Sequence, residues 1–229
     1  MKTKGEYREN LQAVFFPKAS GKLAQRLRGL KSYRESRQVF ISPAPLLAQA
    51  RINALLDGKE LVMPGPGLKQ GFFLLKPFSV PFPKISAAVD LTGISQYGSV
   101  IPIAGLAKLE VGITVSEALL VNTKGVRLGD GTGYFDLAVA LLHEYGGLGK
   151  NWTVWVGLDD SSRLVSDELP ADPWDIPVHG VIIPGRCYEL EQGANPSPQV
   201  YWEHLSQKTV RKITPLWKLS SNALRDSRA

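Results

Sequence analysis

Residues 125–136 read Gly125-Val126-Arg127-Leu128-Gly129-Asp130-Gly131-Thr132-Gly133-Tyr134-Phe135-Asp136, and the apolar run Leu137-Ala138-Val139-Ala140-Leu141-Leu142 follows them. Glycines alternate at 129, 131 and 133, with a cation before them and a carboxylate after. Alternating glycines let backbone N–H groups turn toward an anion with no side chain in the way. The apolar run has helical composition, and a helix beginning behind the loop adds its positive dipole end. Mg²⁺ usually takes one or two carboxylates together with phosphate oxygens and water, so Asp136 beside such a loop suits that ion. The stretch is read as a nucleotide-phosphate site ahead of a helix running to about Tyr145. Two plainer readings stand beside it. Gly-x-Gly-x-Gly also describes a tight turn at a strand end, and Asp136 also suits the first turn of a helix without any metal. The string is not a Walker loop, since no Gly-Lys-Ser/Thr follows, nor is it a dinucleotide fingerprint.

Working outward, apolar runs alternate with helical patterns. Lys4 to Leu30 reads as helix with a break near Pro17. Val39–Ser42, Glu60–Met63, Val111–Val115, Leu119–Val121, Trp152–Leu158 and Val178–Ile183 read as strands, and Gly71–Leu75 as a further apolar run. Leu46–Leu56 reads as an amphipathic helix with Leu47, Ala50, Ala54 and Leu55 on its apolar face, stopping at Asp57-Gly58. Lys124-Gly125 is a turn, and Pro77–Pro83, with three prolines, an extended connector. Helices alternating with short strands predict a three-layer α/β/α domain around a central, mostly parallel sheet. One domain over 1–220 is expected, with a polar C-terminal tail from 221 to 229.

Composition narrows the class. The 229 residues are 44% hydrophobic and 21% charged, which suits a globular core and not a disordered chain. No apolar stretch approaches the roughly 18 residues of a membrane span, and the polar first residues lack a secretory core. Cys187 is the single cysteine, so no internal disulfide forms; a cytoplasmic setting is expected. No histidine or activating charge pattern marks Cys187 as a nucleophile. The net charge of +6 fits anionic small-molecule substrates as well as a polyanion. Basic clusters at Lys18–Arg37 and Lys208–Lys218 are read as solvated helix faces in preference to a nucleic-acid surface.

The string formed by Gly125, Arg127, Gly129, Gly131, Gly133, Tyr134 and Asp136 resembles the signature of the 5-formyltetrahydrofolate cyclo-ligase (5,10-methenyltetrahydrofolate synthetase) family. The match is nearest to its divergent cyclo-ligase-like branch, where the loop continues Tyr-x-Asp-Leu as Tyr134-Phe135-Asp136-Leu137 does. The segments Leu55–Leu75, Tyr201-Trp202 and Pro215-Leu216 extend the similarity from about Lys4 to about Leu219. The resemblance implies a NagB/RpiA/CoA transferase-like α/β fold, ATP and Mg²⁺ as cofactors, a folate-like substrate and a monomer or homodimer. It places Lys4, Arg8 and Arg127 at the ATP phosphates, with Gly129, Gly131, Thr132, Gly133 and Tyr134 around the nucleotide. It gives Arg127 and Asp136 catalytic roles and assigns Mg²⁺ to Asp136 and Asp175. Taken alone, Lys4 and Arg8 are only an i,i+4 basic pair, and Asp175 only a turn residue before a strand.

Departures from the family pattern divide the site. Asp130 stands where the active enzymes usually carry a cation, Trp174 where they carry histidine, and His179 where they carry aspartate. Asp130 would repel a triphosphate unless it is neutralised. Leu46 occupies the place of the glutamate expected against the pterin, and Ala118–Asn122 replaces the folate-side loop. His179 is expected to be a packed or hydrogen-bonded residue. The resemblance thus implies an ATP-dependent ligase on 5-formyltetrahydrofolate. A paralogue with another substrate, or a non-catalytic nucleotide- or RNA-binding protein, remains open.

Overall fold

In a computed structural model, which describes residues 3–11, 17–190 and 197–226, the apolar runs form strands. These are β1 (Gln38–Ile41), β2 (Glu60–Pro64), β3 (Phe72–Leu75), β4 (Ser99–Val100), β5 (Val111–Glu117), β6 (Leu120–Asn122), β7 (Arg127–Leu128), β8 (Leu148–Gly157), β9 (Leu164–Val165), β10 (Gly180–Ile182) and β11 (Cys187–Glu189). One sheet has the order β11-β10-β8-β5-β1-β2-β3-β4. Its middle strands β10, β8, β5, β1 and β2 are parallel, as expected, while β11, β3 and β4 add antiparallel edges. A second, three-stranded sheet has the order β7-β6-β9.

Burial on both faces explains why the central strands read as continuous apolar runs. Side chains alternate across a strand. Val39 and Ile41 of β1 therefore join Leu61 and Met63 on one face, where Leu23, Leu27, Ala50, Ala54 and Leu55 from the helices Pro17–Gly29 and Ala48–Leu56 cover them. Phe40 and Val62 point the other way, against Ala138, Leu141 and Leu142 of the helix Tyr134–Glu144 and Leu216 of the helix Thr214–Asp226. Val154 and Val156 of β8 meet Val139, Ile176 and Val178 in a third cluster. The layers are those the sequence predicts.

This topology sets where a ligand can sit. From β1 the chain moves to β2 on one side, then returns to lay β5 on the other. The order thus reverses between β1 and β5, and open α/β sheets bind ligands outside the strands' carboxyl ends at such a switch point. Beyond β5, the hairpin β6–β7 carries the chain to the glycine loop. Its turn is fixed by Asn122, whose Oδ1 accepts from the N–H groups of Lys124 and Val126 at 3.1 and 2.8 Å.

The stretch from Lys4 to Leu30 is helical with its break ahead of Pro17, as expected: the helices are Lys4–Asn10 and Pro17–Gly29, with residues 12–16 outside those described. Two other elements differ from expectation. Pro77–Pro83 is not extended: the Lys76 carbonyl accepts from both Ser79 N and Ser79 Oγ, which turns the chain, and Phe82–Lys84 forms a 3₁₀ turn. The helix Thr214–Asp226 runs into the segment expected as a polar tail. Among the described residues no helix is long and apolar enough to cross a membrane. In the basic segment 18–37, Arg28 pairs with Asp57 at 2.6 Å and Arg37 with Glu60 at 2.9 Å, which favours the solvated-face reading.

Arg51 shapes the loop after β1. It lies in the helix Ala48–Leu56 and is fully buried. Its Nη1 donates to the carbonyls of Ser42 and Ala44 at 2.6 and 2.8 Å, and its Nε to that of Val89 at 2.8 Å. Burial lowers its pKa to about 10. Replacing Arg51 with leucine leaves the buried carbonyls of Ser42 and Val89 without a donor among the described residues, each costing about 1–3 kcal/mol, partly offset by removal of a buried charge; the Ala44 carbonyl keeps the Leu47 N–H at 3.0 Å. Arg51→Leu should lower the unfolding free energy by roughly 3 kcal/mol in urea titrations, whereas a loss under about 0.5 kcal/mol would show that the loop holds itself.

Candidate functional site

The glycine loop is braced by two arginines. Arg8 lies in the helix Lys4–Asn10, which a reciprocal cap between Thr3 and Glu6 starts. Its Nε donates to the Gly129 carbonyl at 2.9 Å, and none of the described residues accepts from its Nη groups. A side chain at Gly131 would meet the Arg8 guanidinium at 3.2 Å, and one at Gly129 would meet Arg127 Nη1 at 2.6 Å. Gly131 (φ 94°) and Gly133 (φ 68°) also hold left-handed backbone conformations, Gly133 at the cap of the helix Tyr134–Glu144. Gly129 is thus favoured by the cation packed on it, Gly133 by its left-handed backbone, and Gly131 by both.

Arg127 and Asp136 form a buried ion pair. Arg127 Nη2 donates to Asp136 Oδ1 at 2.7 Å and to Oδ2 at 2.6 Å, and Asp136 Oδ1 also accepts from Ile176 N at 3.0 Å. The guanidinium lies over the Phe135 ring at 4.8 Å. Its Nε is buried with no partner among the described residues. Asp130, one step along the loop, is exposed and turned back on the loop: its Oδ1 accepts from Thr132 N at 3.0 Å and Thr132 Oγ1 at 2.8 Å. That closes the turn and occupies the oxygen that would otherwise face an anion.

Lys4 and Asp175 meet, though not as the sequence suggests. Lys4 Nζ pairs with Asp172 at 2.6 Å and with Asp175 Oδ2. The Asp172 N–H also donates to Asp175 Oδ2 at 2.7 Å. Lys4 is therefore held by carboxylates next to the loop, while Arg8 and Arg127 touch the loop itself. Asp175 directly precedes Ile176, whose N–H binds Asp136, so the two carboxylates expected to hold Mg²⁺ come from adjoining backbone. Among the described residues no three His, Cys, Asp or Glu side chains gather as a metal cage. Mg²⁺ needs no such cage where phosphates complete its shell. A lone pair on Asp136 Oδ2 and all of Asp175 Oδ1 stay free of donors from the described residues, so one oxygen from each fits the ion.

Two cavities flank the loop. The strand-end cavity, about 520 Å³, opens at the switch point between the segments after β1 and β5. Phe40, Leu46, Leu68, Leu119 and Phe135 give it apolar walls. Glu117, Asp130, Asp159, Arg163 and Arg127 supply its charges. The other cavity, about 480 Å³, lies beside Trp174 and includes Asp136. Thr132 and Tyr134 line both, so the loop is the wall between them. His179 is distant from this chemistry in role: its Nδ1 accepts from Val154 N at 3.1 Å, and burial lowers its pKa, as expected of a packed histidine.

A model of the 5-formyltetrahydrofolate cyclo-ligase family matches residues 3–184. The chain belongs to that family. It is 27% identical over 205 residues to a methenyltetrahydrofolate synthase domain-containing protein of Danio rerio, and 26% identical over 206 residues to the Homo sapiens protein of that name. Each match covers 88% of this chain but only 52% and 53% of those proteins, so the chain spans about half their length. The NMR structure of Aquifex aeolicus 5,10-methenyltetrahydrofolate synthetase shares the fold, with TM-score 0.52 and 20% identity over 88% of this chain and 99% of that one.

Within this cyclo-ligase family member, sequence reading misses Glu117. It ends β5 in the strand-end cavity, the same cavity that Leu46 lines. None of the described residues donates a hydrogen bond to its carboxylate; Asp159 has taken Arg163 at 2.6 Å. Burial, and Asp130 nearby, push the Glu117 carboxyl above its ordinary range. The available signal was an acid closing an otherwise apolar buried strand. Its folded state holds a proton more tightly than the unfolded chain, so its contribution to stability falls as pH rises through the raised pKa. Glu117→Gln should therefore melt at a higher temperature than the wild type near neutral pH, and the gap should close as pH falls toward 4.5, the group's ordinary value. An unchanged gap across that range would contradict the assignment.

Proposed function

We propose that this chain is an ATP- and Mg²⁺-dependent ligase that converts 5-formyltetrahydrofolate to 5,10-methenyltetrahydrofolate. The observation that carries the reading is the glycine loop braced by Arg8 and Arg127 between two cavities. Such a wall lets two substrates meet at one phosphoryl group. In the reaction, the γ-phosphoryl of ATP passes to the formyl oxygen and ADP leaves. The second folate nitrogen then attacks the activated carbon, and phosphate departs as the ring closes.

The chain's own work is positioning and charge stabilisation. Backbone N–H groups of residues 129–131 and 133, with the helix behind them, hold phosphate oxygens, the Thr132 N–H being taken by Asp130. Arg8 offers its unpaired Nη donors to the same group. Asp136 and Asp175 would hold Mg²⁺, which neutralises charge developing on the transferred phosphoryl. The apolar walls of the strand-end cavity receive the flat ring of the folate, and Glu117 accepts from its N–H donors. A second reading, a family-type ligase with another substrate, is favoured by one observation: the cavity's acid comes from β5 and not from position 46.

The test is product formation from 5-formyltetrahydrofolate by the wild type and Asp175→Asn. The expected result is methenyltetrahydrofolate that requires both ATP and Mg²⁺. Asp175→Asn should reduce the rate by at least the roughly 10–100-fold typical of metal-site partners. ATP binding without product from this folate would favour the altered-substrate reading, and no ATP binding would overturn both.

A further inference from the structure

We infer that the loop of residues 76–84 docks this chain on an anionic lipid surface by inserting Phe78 and Phe82 among the headgroups. The inference is independent of the reaction proposed above, because the loop lies away from the glycine segment. Strand β3 runs antiparallel to β2, with Leu75 opposite Leu61, and Pro64 at the other end of β2 lines the strand-end cavity. The chain therefore enters the loop at the end of the sheet opposite that cavity.

The loop displays its rings at a cost. Phe78 is 87% exposed and Phe82 76%, the two most exposed large apolar side chains among the described residues. Phe78 also holds φ 61°, a left-handed conformation that is unfavourable for a bulky side chain. Local contacts fix it there. The Lys76 carbonyl accepts from Ser79 N at 3.3 Å and from Ser79 Oγ at 2.7 Å. Val80, between the two rings, is buried in the same core cluster as Ile85. Pro77, Pro81 and Pro83 restrict the backbone around them. The rings are thus pre-set in solvent, and burial within the described chain does not repay the strain. Strain of this kind persists where a site uses it.

Area and charge select the occupant. Two phenylalanine side chains offer on the order of 300–500 Å² together. A stable protein interface needs roughly 800 Å² from each partner. The residues around the rings are proline, serine and exposed lysine, which do not extend the apolar patch. A bilayer sets no such minimum, since lipid closes around each ring separately. Lys76 and Lys84 bracket the rings, and the segment between them carries no acid. Beside Lys76, the Glu60 carboxyl is held below its ordinary range by Gln38, Arg37 and Lys76, so one acid is set against two cations. A second copy docked through the same loop would bring lysine against lysine, whereas anionic headgroups complement both. Contact at this end leaves the strand-end cavity open to small molecules.

The experiment is flotation of the intact chain with phosphatidylcholine vesicles, with and without about one-third phosphatidylserine. The wild type should float with the anionic vesicles and not with the neutral ones. Raising the salt from about 0.1 M to about 0.5 M should lower the bound fraction several-fold. Phe78→Asn and Phe82→Ser should each weaken binding at least about tenfold, as loss of a buried ring does. Lys84→Glu should weaken it at least about fivefold. Phe78→Asn should melt at or above the wild-type temperature, since asparagine accepts the left-handed backbone; its lost binding then is not lost folding. Wild type that stays unbound with anionic vesicles, or floats equally with neutral ones, would overturn the inference. So would binding that survives Phe78→Asn combined with Phe82→Ser, which would place the contact on the basic helices. A lipid-free dimer that the same two substitutions dissolve would overturn it in favour of a second copy.

Discussion

The ion pair between Arg127 and Asp136 is the contact on which the site depends. One partner opens β7 and the other lies in the first turn of the helix behind the loop, so the pair ties the two ends of the glycine segment together. Both residues are buried, Arg127 at 7% exposure and Asp136 at 8%. Losing one member would strand an uncompensated charge in a low-dielectric wall, which is far costlier than losing a surface pair. The Ile176 N–H adds a third contact and draws in the segment bearing Asp175. Loop, helix start and the Asp175 segment are therefore set by one interaction, and the arginine that completes it also lines the strand-end cavity.

Around this junction the polar groups are arranged in opposite ways on the two sides. Asp130 keeps its charge at the strand-end cavity but has its Oδ1 taken inside the loop by Thr132. Glu117 is not held in this way: it faces a largely apolar cavity without a donor among the described residues. A buried carboxylate with no partner is a cost to folding, and such costs persist where a ligand supplies the missing donors. The family's glycine loop is thus kept, while the strand-end cavity departs from the family pattern.

How much was legible in the sequence follows from the range of the interactions. The central strands could be read because burial on both faces leaves a run of apolar residues, as in Val39–Ile41 and Leu61–Met63. The loop could be read because its glycines, its flanking cation and its carboxylate are close in sequence. Asp130's turn back on the loop was readable in principle, since its partner is two residues away. Arg51 left a weaker trace: it falls between Leu47 and Ala54 on the apolar face of its helix, where a solvated cation does not belong. Trp174 meeting His204, or Lys4 meeting Asp172, had no local signal, because only the tertiary fold brings those segments together. The extended reading of Pro77–Pro83 failed because proline count stood in for the hydrogen bonds that the Lys76 carbonyl makes.

The central claim is that the buried Arg127–Asp136 pair, and not the glycines alone, holds the glycine loop in place. A double-mutant cycle with Arg127→Met and Asp136→Leu, read as unfolding free energy, tests it most directly. The account predicts that each single variant loses about 3–5 kcal/mol, while the double variant recovers most of that loss because no charge is left unpaired. Losses that simply add, with a coupling under about 0.5 kcal/mol, would contradict it.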